Sequence, residues 1–314
     1  MKSIVIYDVN FSISQNCVQS FLYKILQKRL LIDTAVIPVA GHGTRLLTLT
    51  KDQPKEMVPI FTRSFNEITL RPLIEHIFLN LYDSGIRNFF FIVGKKKRSI
   101  EDHFTIERNY RDYLKKDDHN YRDLLEDFYK KIEKSNIVWI NQNTPRGFGA
   151  AVLSAKEIVG SKPFLVHAGD AYVRDNSKHI LNLIKAYEKN NPDIIFYLKE
   201  ITNPKSYGVA IVSKINQMLY QVHDLEEKPK RPKSNLAIMP IYIFKPKIFD
   251  ALSEIKPGVG NELQLTDAIQ RILNLSKNVM AMKFPRSDDC IDIGTPENYF
   301  HAISVSYKDS KKTK

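Results

Sequence analysis

Residues 34–40 read TAVIPVA and run straight into Gly41-His42-Gly43-Thr44-Arg45. Seven almost wholly apolar residues without polar alternation describe a strand covered on both faces, as in the middle of a parallel sheet. The glycines come directly after it. In an open α/β sheet that position, at the carboxyl end of a strand, is where ligands bind. Two glycines let the backbone approach a phosphate closely and turn its N–H groups toward the anion. A dinucleotide fingerprint is excluded because Leu46 stands where its third glycine belongs, and a Walker loop because Gly-Lys-Ser/Thr is absent. A structural turn explains Gly-x-Gly about as well as a phosphate loop does.

Downstream the pattern repeats. A helical spacing runs through Leu73, Ile74, Ile77 and Leu81, and a second buried strand follows at residues 88–93 (NFFFIV). Residues 105–134 are strongly charged, with Tyr110, Tyr113, Leu114, Tyr121, Leu124, Leu125, Phe128 and Ile132 at roughly helical spacing, which predicts surface helices in an insertion. Strands are expected at 137–140, 164–167 and 194–198, with helices at 150–159 and 177–190. This alternation predicts an α/β, Rossmann-like doubly wound mixed sheet. After Gly208 short strands at 209–212 and 236–244 precede helices from Ile248 and Leu263, the pattern of a small subdomain packed on the sheet.

The expected division is an N-terminal extension at 1–33, one domain at 34–304 and a frayed basic tail at 305–314. In the extension, residues 4–9 read as a strand, and Val18, Phe21, Leu22, Ile25 and Leu26 share one helical face. No long apolar segment marks a secretory signal. Cys17 and Cys290 are far apart and not in metal spacing, which points to a reducing, cytoplasmic setting. No apolar run is long enough for a membrane span. The formal charge of +12 suits a polyanionic small molecule as well as nucleic acid, but no zinc-finger or RNA-recognition signature accompanies it.

Arg45 and Lys55 lie ten residues apart, with Lys55 inside Gln53-Pro54-Lys55-Glu56-Met57-Val58-Pro59. The two prolines prevent a continuous helix, so this is a folded loop. A guanidinium and an ammonium beside a phosphate loop are the charges needed to hold a triphosphate and a departing pyrophosphate. Taken singly, each reads equally as a solvated surface cation.

The block AVIPVAGHGTRLLTLTKDQPKEMVPI resembles the signature of prokaryotic UTP–glucose-1-phosphate uridylyltransferases, in the nucleotide-sugar pyrophosphorylase superfamily. The resemblance extends to about Ala302. It continues through Gln142-x4-Gly147-Phe-Gly149-x-Ala151-Val152, Gly169-Asp170, Tyr207-Gly208-Val209, Glu226-Glu227-Lys228-Pro229, Asn261-Glu262-x-Gln264-Leu-Thr266-Asp267-Ala268 and Asp292-x-Gly294-Thr295. It implies the nucleotide-diphospho-sugar transferase fold with a sugar-side subdomain, and a reaction without a covalent enzyme intermediate. By that resemblance Ala40, Gly41, Gly43 and Thr44 cradle the nucleotide, Gln142 reads the pyrimidine edge and Gly147 lets the base lie close to backbone. Arg45 and Lys55 address the triphosphate. Gly208, Glu227, Lys228 and Glu262 address the sugar 1-phosphate, with Lys228 on its phosphate. Asp170 and Asp292 clamp Mg²⁺. The implied partners are a nucleoside triphosphate and a sugar 1-phosphate, with neither nucleic acid nor membrane. Such enzymes often form dimers or tetramers, so a homo-oligomer is an expectation.

The chain also departs from the pattern. Pro240-Ile241-Tyr242 stands where Gly-Arg-Tyr is usual near the sugar, and Ala150 replaces a typical histidine. Asp292-Ile293-Gly294-Thr295 resembles the thymidylyltransferase branch more closely. A dTTP-dependent or broad-specificity enzyme is therefore the alternative within the class. A catalytically silent, nucleotide-sugar-binding regulator is the alternative outside it, although such a protein would be expected to have lost the cations or the aspartates.

Overall fold

The computed structural model describes residues 31–64, 67–107, 109, 119–175, 177–285 and 290–312. The strand and helix expected before residue 31, Cys17, Tyr110, Tyr113 and Leu114 lie outside the described residues. The strands are β1 Thr34–Pro38, β2 Pro59–Ser64, β3 Glu67–Pro72, β4 Asn88–Val93, β5 Asn136–Asn141, β6 Phe164–His167 and β7 Ala171–Val173. They continue with β8 Ile194–Glu200, β9 Gly208–Lys214, β10 Leu219–Glu227, β11 Leu236–Phe244, β12 Val279–Lys283 and β13 Cys290–Asp292.

Nine of these form one mixed sheet in the order β5-β4-β1-β6-β11-β8-β12-β10-β9. The period of two explains why its central strands are apolar throughout. Ala35 and Ile37 of β1, with Phe89 and Phe91 of β4, enter one core, while Val36, Phe90 and Ile92 enter the other. Both cores must be covered by helices. Leu73–Asp83 and Lys178–Asn190 supply buried residues to the first, Lys247–Glu254 and Leu265–Ser276 to the second. Phe78 anchors the first core, its ring 4.6 Å from Phe89, 5.2 Å from Phe104 and 5.9 Å from Phe128.

The topology locates the cleft. From β1 the chain moves outward to β4 and β5, then returns to β6 on the other flank of β1. Strand order thus reverses at β1, and the Gly41–Gly43 loop leaves the sheet at that switch point. A second device sits beside it. The short antiparallel ribbon β7/β13 pairs Ala171 with Asp292, and Ile293 N–H donates to the Asp170 carbonyl at 2.9 Å.

Several elements differ from the sequence reading. The charged 105–134 region yields the helix His119–Glu133, whose Phe128 and Ile132 are buried against the core. The expected 150–159 helix divides into Phe148–Leu153 and Lys156–Val159. Strand β10 and the hairpin β2/β3 were not anticipated. The strands after Gly208 join the same sheet, β11 at its centre between β6 and β8 and β9 at its far edge. The last helix, Pro296–Ser310, runs well past residue 304 and buries Ser306 and Ser310, so residues 305–310 are packed structure rather than a frayed tail.

Candidate active site

The loop after β1 is shaped by Gly43, whose φ of 67° is left-handed and caps the short turn Thr44–Leu46. Thr50 Oγ1 donates to the Gly43 carbonyl at 2.8 Å and pins the loop. Ala40 is nearly buried at its base. Lys55 opens a later turn, Lys55–Met57, and its ammonium comes within 3.9 Å of where a side chain on Gly41 would begin. The sequence reading of a glycine loop and two nearby cations is therefore spatially coherent.

Both cations meet carboxylates. Lys55 Nζ donates to Asp170 Oδ2, and Arg45 Nη2 stands 3.8 Å from Asp292 Oδ2. Arg45 reaches that place by crossing Gly294, where a Cβ would fall 2.5 Å from its Nη2. Burial works against the charge on Lys55, yet Asp170, Glu56 and Asp292 outweigh it and hold its pKa above the ordinary lysine value. Burial likewise opposes ionisation of Asp170, but Lys55 overrides it and the carboxyl stays below its usual range. Asp292 goes the other way: burial and the charge of Asp170 push it up to about 6. Two carboxylates and two cations thus form a neutral quartet at the mouth of the switch point.

Asp170 and Asp292 suit a hard divalent ion. They are oxygen donors at one end of the ribbon, Asp292 closing β13 and Asp170 just before β7, and a positively charged group already stands against each of them. Among the described residues no group of three or more His, Cys, Asp and Glu converges as a metal centre. Mg²⁺ usually takes one or two carboxylates and completes its shell with phosphate oxygens and water, so two aspartates are a sufficient protein donor set for it.

A second group gathers at the inner ends of β9 and β10. Register places Glu227 opposite Gly208. A Cβ on Gly208 would fall 2.6 Å from Thr266 Oγ1 and 3.0 Å from Glu227 Oε2, so only glycine leaves this corner open. Lys228, held at φ 44°, stands 3.4 Å from Glu227 through Nζ and donates its N–H to the Tyr207 carbonyl at 3.1 Å. Tyr207 links the two groups. Its phenol is held above the usual range by burial and by Asp292, with Arg45 opposing.

Gln142, nearly buried, follows β5 and is anchored by its N–H to the Val93 carbonyl at 2.8 Å. Gly147 has φ 97°, and a Cβ there would lie 2.7 Å from Glu262 Cβ. Leu263 N–H donates to the Arg146 carbonyl at 2.7 Å, and Gly149 N–H returns a bond to the Leu263 carbonyl at 3.0 Å. The blocks around Gly147 and Glu262 therefore interlock through backbone. This close packing is a role for the two glycines that the sequence did not reveal. Glu262 accepts from Gln264 Nε2 at 3.2 Å.

Sequence reasoning also missed Glu56 and Lys97. Glu56 is 1% exposed and Lys97 6%, and Lys97 Nζ donates to Glu56 Oε2 at 2.7 Å directly behind Lys55. The available signal was a glutamate locked between prolines, Pro54 and Pro59; Lys97 stands in the basic run Lys95–Arg98, where nothing sets it apart from its neighbours.

Fold and cleft together define a nucleotidyl transferase, and residues 34–308 match the family described as Nucleotidyl transferase, to which the chain belongs. Within it the chain is similar to UTP–glucose-1-phosphate uridylyltransferase 2 of Staphylococcus saprophyticus, 37% identical over 267 residues, covering 84% of this chain and 88% of the relative. The UTP–glucose-1-phosphate uridylyltransferase of Staphylococcus haemolyticus is 34% identical over 285 residues, covering 89% and 94%. A crystal structure of UDP-glucose pyrophosphorylase complexed with UDP-glucose superposes with a TM-score of 0.76 at 30% identity, covering 88% of this chain and 99% of that one.

Proposed function

We propose that this chain transfers the uridylyl group of UTP to glucose 1-phosphate, giving UDP-glucose and pyrophosphate. The observation that carries the reading is the quartet Lys55–Asp170 and Arg45–Asp292 at the switch point, facing Glu227 and Lys228 through Tyr207. The relatives' names supply the base and the sugar.

In this reaction a phosphate oxygen of the sugar 1-phosphate attacks the α-phosphorus of UTP, a new P–O bond forms, and the bond to the β-phosphate oxygen breaks. Little covalent chemistry falls to the protein, so positioning and charge neutralisation must carry the rate. The Gly41–Gly43 loop receives the triphosphate. Arg45 and Lys55 turn from the carboxylates to the β- and γ-phosphates and stabilise the charge that leaves with pyrophosphate. Lys228 holds the phosphate of the sugar, while Glu227 and Glu262 accept from its hydroxyls. Gln142 offers an amide that both donates and accepts to the base. When bound between Asp170 and Asp292, Mg²⁺ supplies positive charge to the reacting phosphates. The test is pyrophosphate release by the purified chain with both substrates, compared with either alone.

The runner-up, dTTP as donor, rests on the run Asp292-Ile293-Gly294-Thr295. Exchange of UTP for dTTP in the same assay decides between them.

A further inference from the structure

We propose that the buried Lys97–Glu56 ion pair is the strut that positions Lys55, making Lys97 a positioning residue for nucleotidyl transfer. The inference rests on the uridylyl-transfer reading and adds a residue to it.

Three segments meet at this pair. Glu56 is the middle residue of the single turn Lys55–Met57, adjacent in sequence to the ammonium that holds Asp170. Lys97 comes from the loop leaving β4, where Lys96 takes a left-handed φ of 64° and the helix Arg98–His103 begins immediately after it. The third segment is the end of β6: a Cβ on Gly169 would lie 3.2 Å from Glu56 Cγ, so the glutamate stem fills the space beside Gly169 and Asp170.

A one-turn helix has too few internal hydrogen bonds to fix the direction of its side chains. Here the turn keeps two, Met57 N–H to the Pro54 carbonyl at 2.9 Å and Val58 N–H to the Lys55 carbonyl at 3.3 Å. The Glu56 carboxylate is desolvated, and its partner Lys97 is equally withdrawn from water. Such a pair is a poor source of net stability, since replacing it by apolar groups is often neutral. Its geometry is nevertheless strict, because either charge without the other is costly to bury. The pair therefore ties the Lys55 turn to the loop between β4 and the helix Arg98–His103, and fixes where the ammonium can reach.

The experiment compares wild type, Lys97→Met, Lys97→Arg, Glu56→Gln, Lys55→Ala and the double variant Lys97→Met with Lys55→Ala. Each is followed by circular dichroism, kcat, KM for both substrates, and calorimetric binding of inorganic pyrophosphate with Mg²⁺. Folded Lys97→Met should lose about 10²-fold in kcat, the cost of misplacing a charge by an ångström or so. KM for glucose 1-phosphate should stay within about twofold, because Lys228 and Glu227 are untouched. Pyrophosphate should bind about tenfold more weakly, the worth of one charge-assisted hydrogen bond. Adding Lys97→Met to Lys55→Ala should weaken it no further, since both act through the same ammonium. Lys97→Arg should recover most of the rate. If Lys97→Met does not fold, Glu56→Gln, which keeps an acceptor for Lys97, carries the test with the same split between kcat and KM. Wild-type kcat and pyrophosphate affinity in a folded Lys97→Met or Glu56→Gln would overturn the proposal. So would additive losses in the double variant, which would mark the pair as general scaffolding. A wild-type chain that neither turns over nor binds pyrophosphate would instead overturn the uridylyl-transfer reading.

Discussion

Lys55 donates to the carboxylate of Asp170 across 115 residues of sequence, joining the loop after β1 to the end of β6. The ammonium thus stands where the proposed metal ion would meet the same carboxylate, and Arg45 stands likewise against Asp292. On the proposed reading an arriving polyphosphate would draw both cations away and free the two carboxylates for the metal. Nucleotide and metal are therefore expected to bind together, with free metal held weakly.

Lys55→Ala is predicted to lower kcat by about 10³-fold, the upper range for removing one donor from a site of developing negative charge. The fold should persist, with an unchanged far-ultraviolet spectrum. In the absence of nucleotide the same variant should bind Mn²⁺ about tenfold more tightly than wild type, because the competing ammonium is gone. Titration of the Mn²⁺ electron-spin signal reads this directly; equal or weaker binding would contradict the exchange.

Asp170→Asn is predicted to raise the Mg²⁺ concentration needed for half-maximal rate by at least about tenfold, since an amide is a weaker ligand for a hard ion than a carboxylate. A magnesium titration of the steady-state rate checks it. An unshifted midpoint would remove Asp170 from the metal site.

The metal affinity should also depend on pH. Asp292 is pushed up to about 6, so it is ionised above that pH and protonated below it. Because a ligand must lose its proton to bind, apparent Mn²⁺ affinity should fall by about tenfold per pH unit below about 6 and be flat above about 7. Asp292→Asn should abolish that slope.

Much of the site was legible because it is local. The glycines, Arg45 and Lys55 follow one apolar strand, and the carboxyl end of such a strand is where ligands bind in an open α/β sheet. The carboxylates were legible singly, at strand ends, but their meeting depends on the β7/β13 ribbon, whose two strands are three residues each and leave no periodic trace. Strand β10 was hidden for a different reason. Its pairing slips between Val222 and Asp224, so alternation breaks halfway along a largely polar strand. The final helix carried an unused cue, Thr295 before Pro296, and the threonine does cap it by accepting from Asn298 N–H at 3.3 Å. Lys97 could not be found from composition, because a buried lysine and a solvated one look alike until the partner is in view.

The tight corners give a stability prediction. Gly147→Ala forces a left-handed φ on a residue with a Cβ, costing about 1–2 kcal/mol, and sets that Cβ 2.7 Å from Glu262. The contact has backbone neighbours and cannot simply swing away, so denaturant unfolding should show a loss at or above that range. Gly160→Ala, also at positive φ but with nothing within 4 Å, should show only the conformational part.

The central claim is that the neutral quartet and the Glu227–Lys228 corner act as one site for uridylyl transfer. The most direct test is pyrophosphate release by the purified chain with Mg²⁺, UTP and glucose 1-phosphate, alongside each substrate alone and dTTP in place of UTP. The account predicts release only when UTP and glucose 1-phosphate are both present, and slower release with dTTP. No release from well-folded protein with any pair would contradict it and leave a nucleotide-sugar-binding regulator as the better reading.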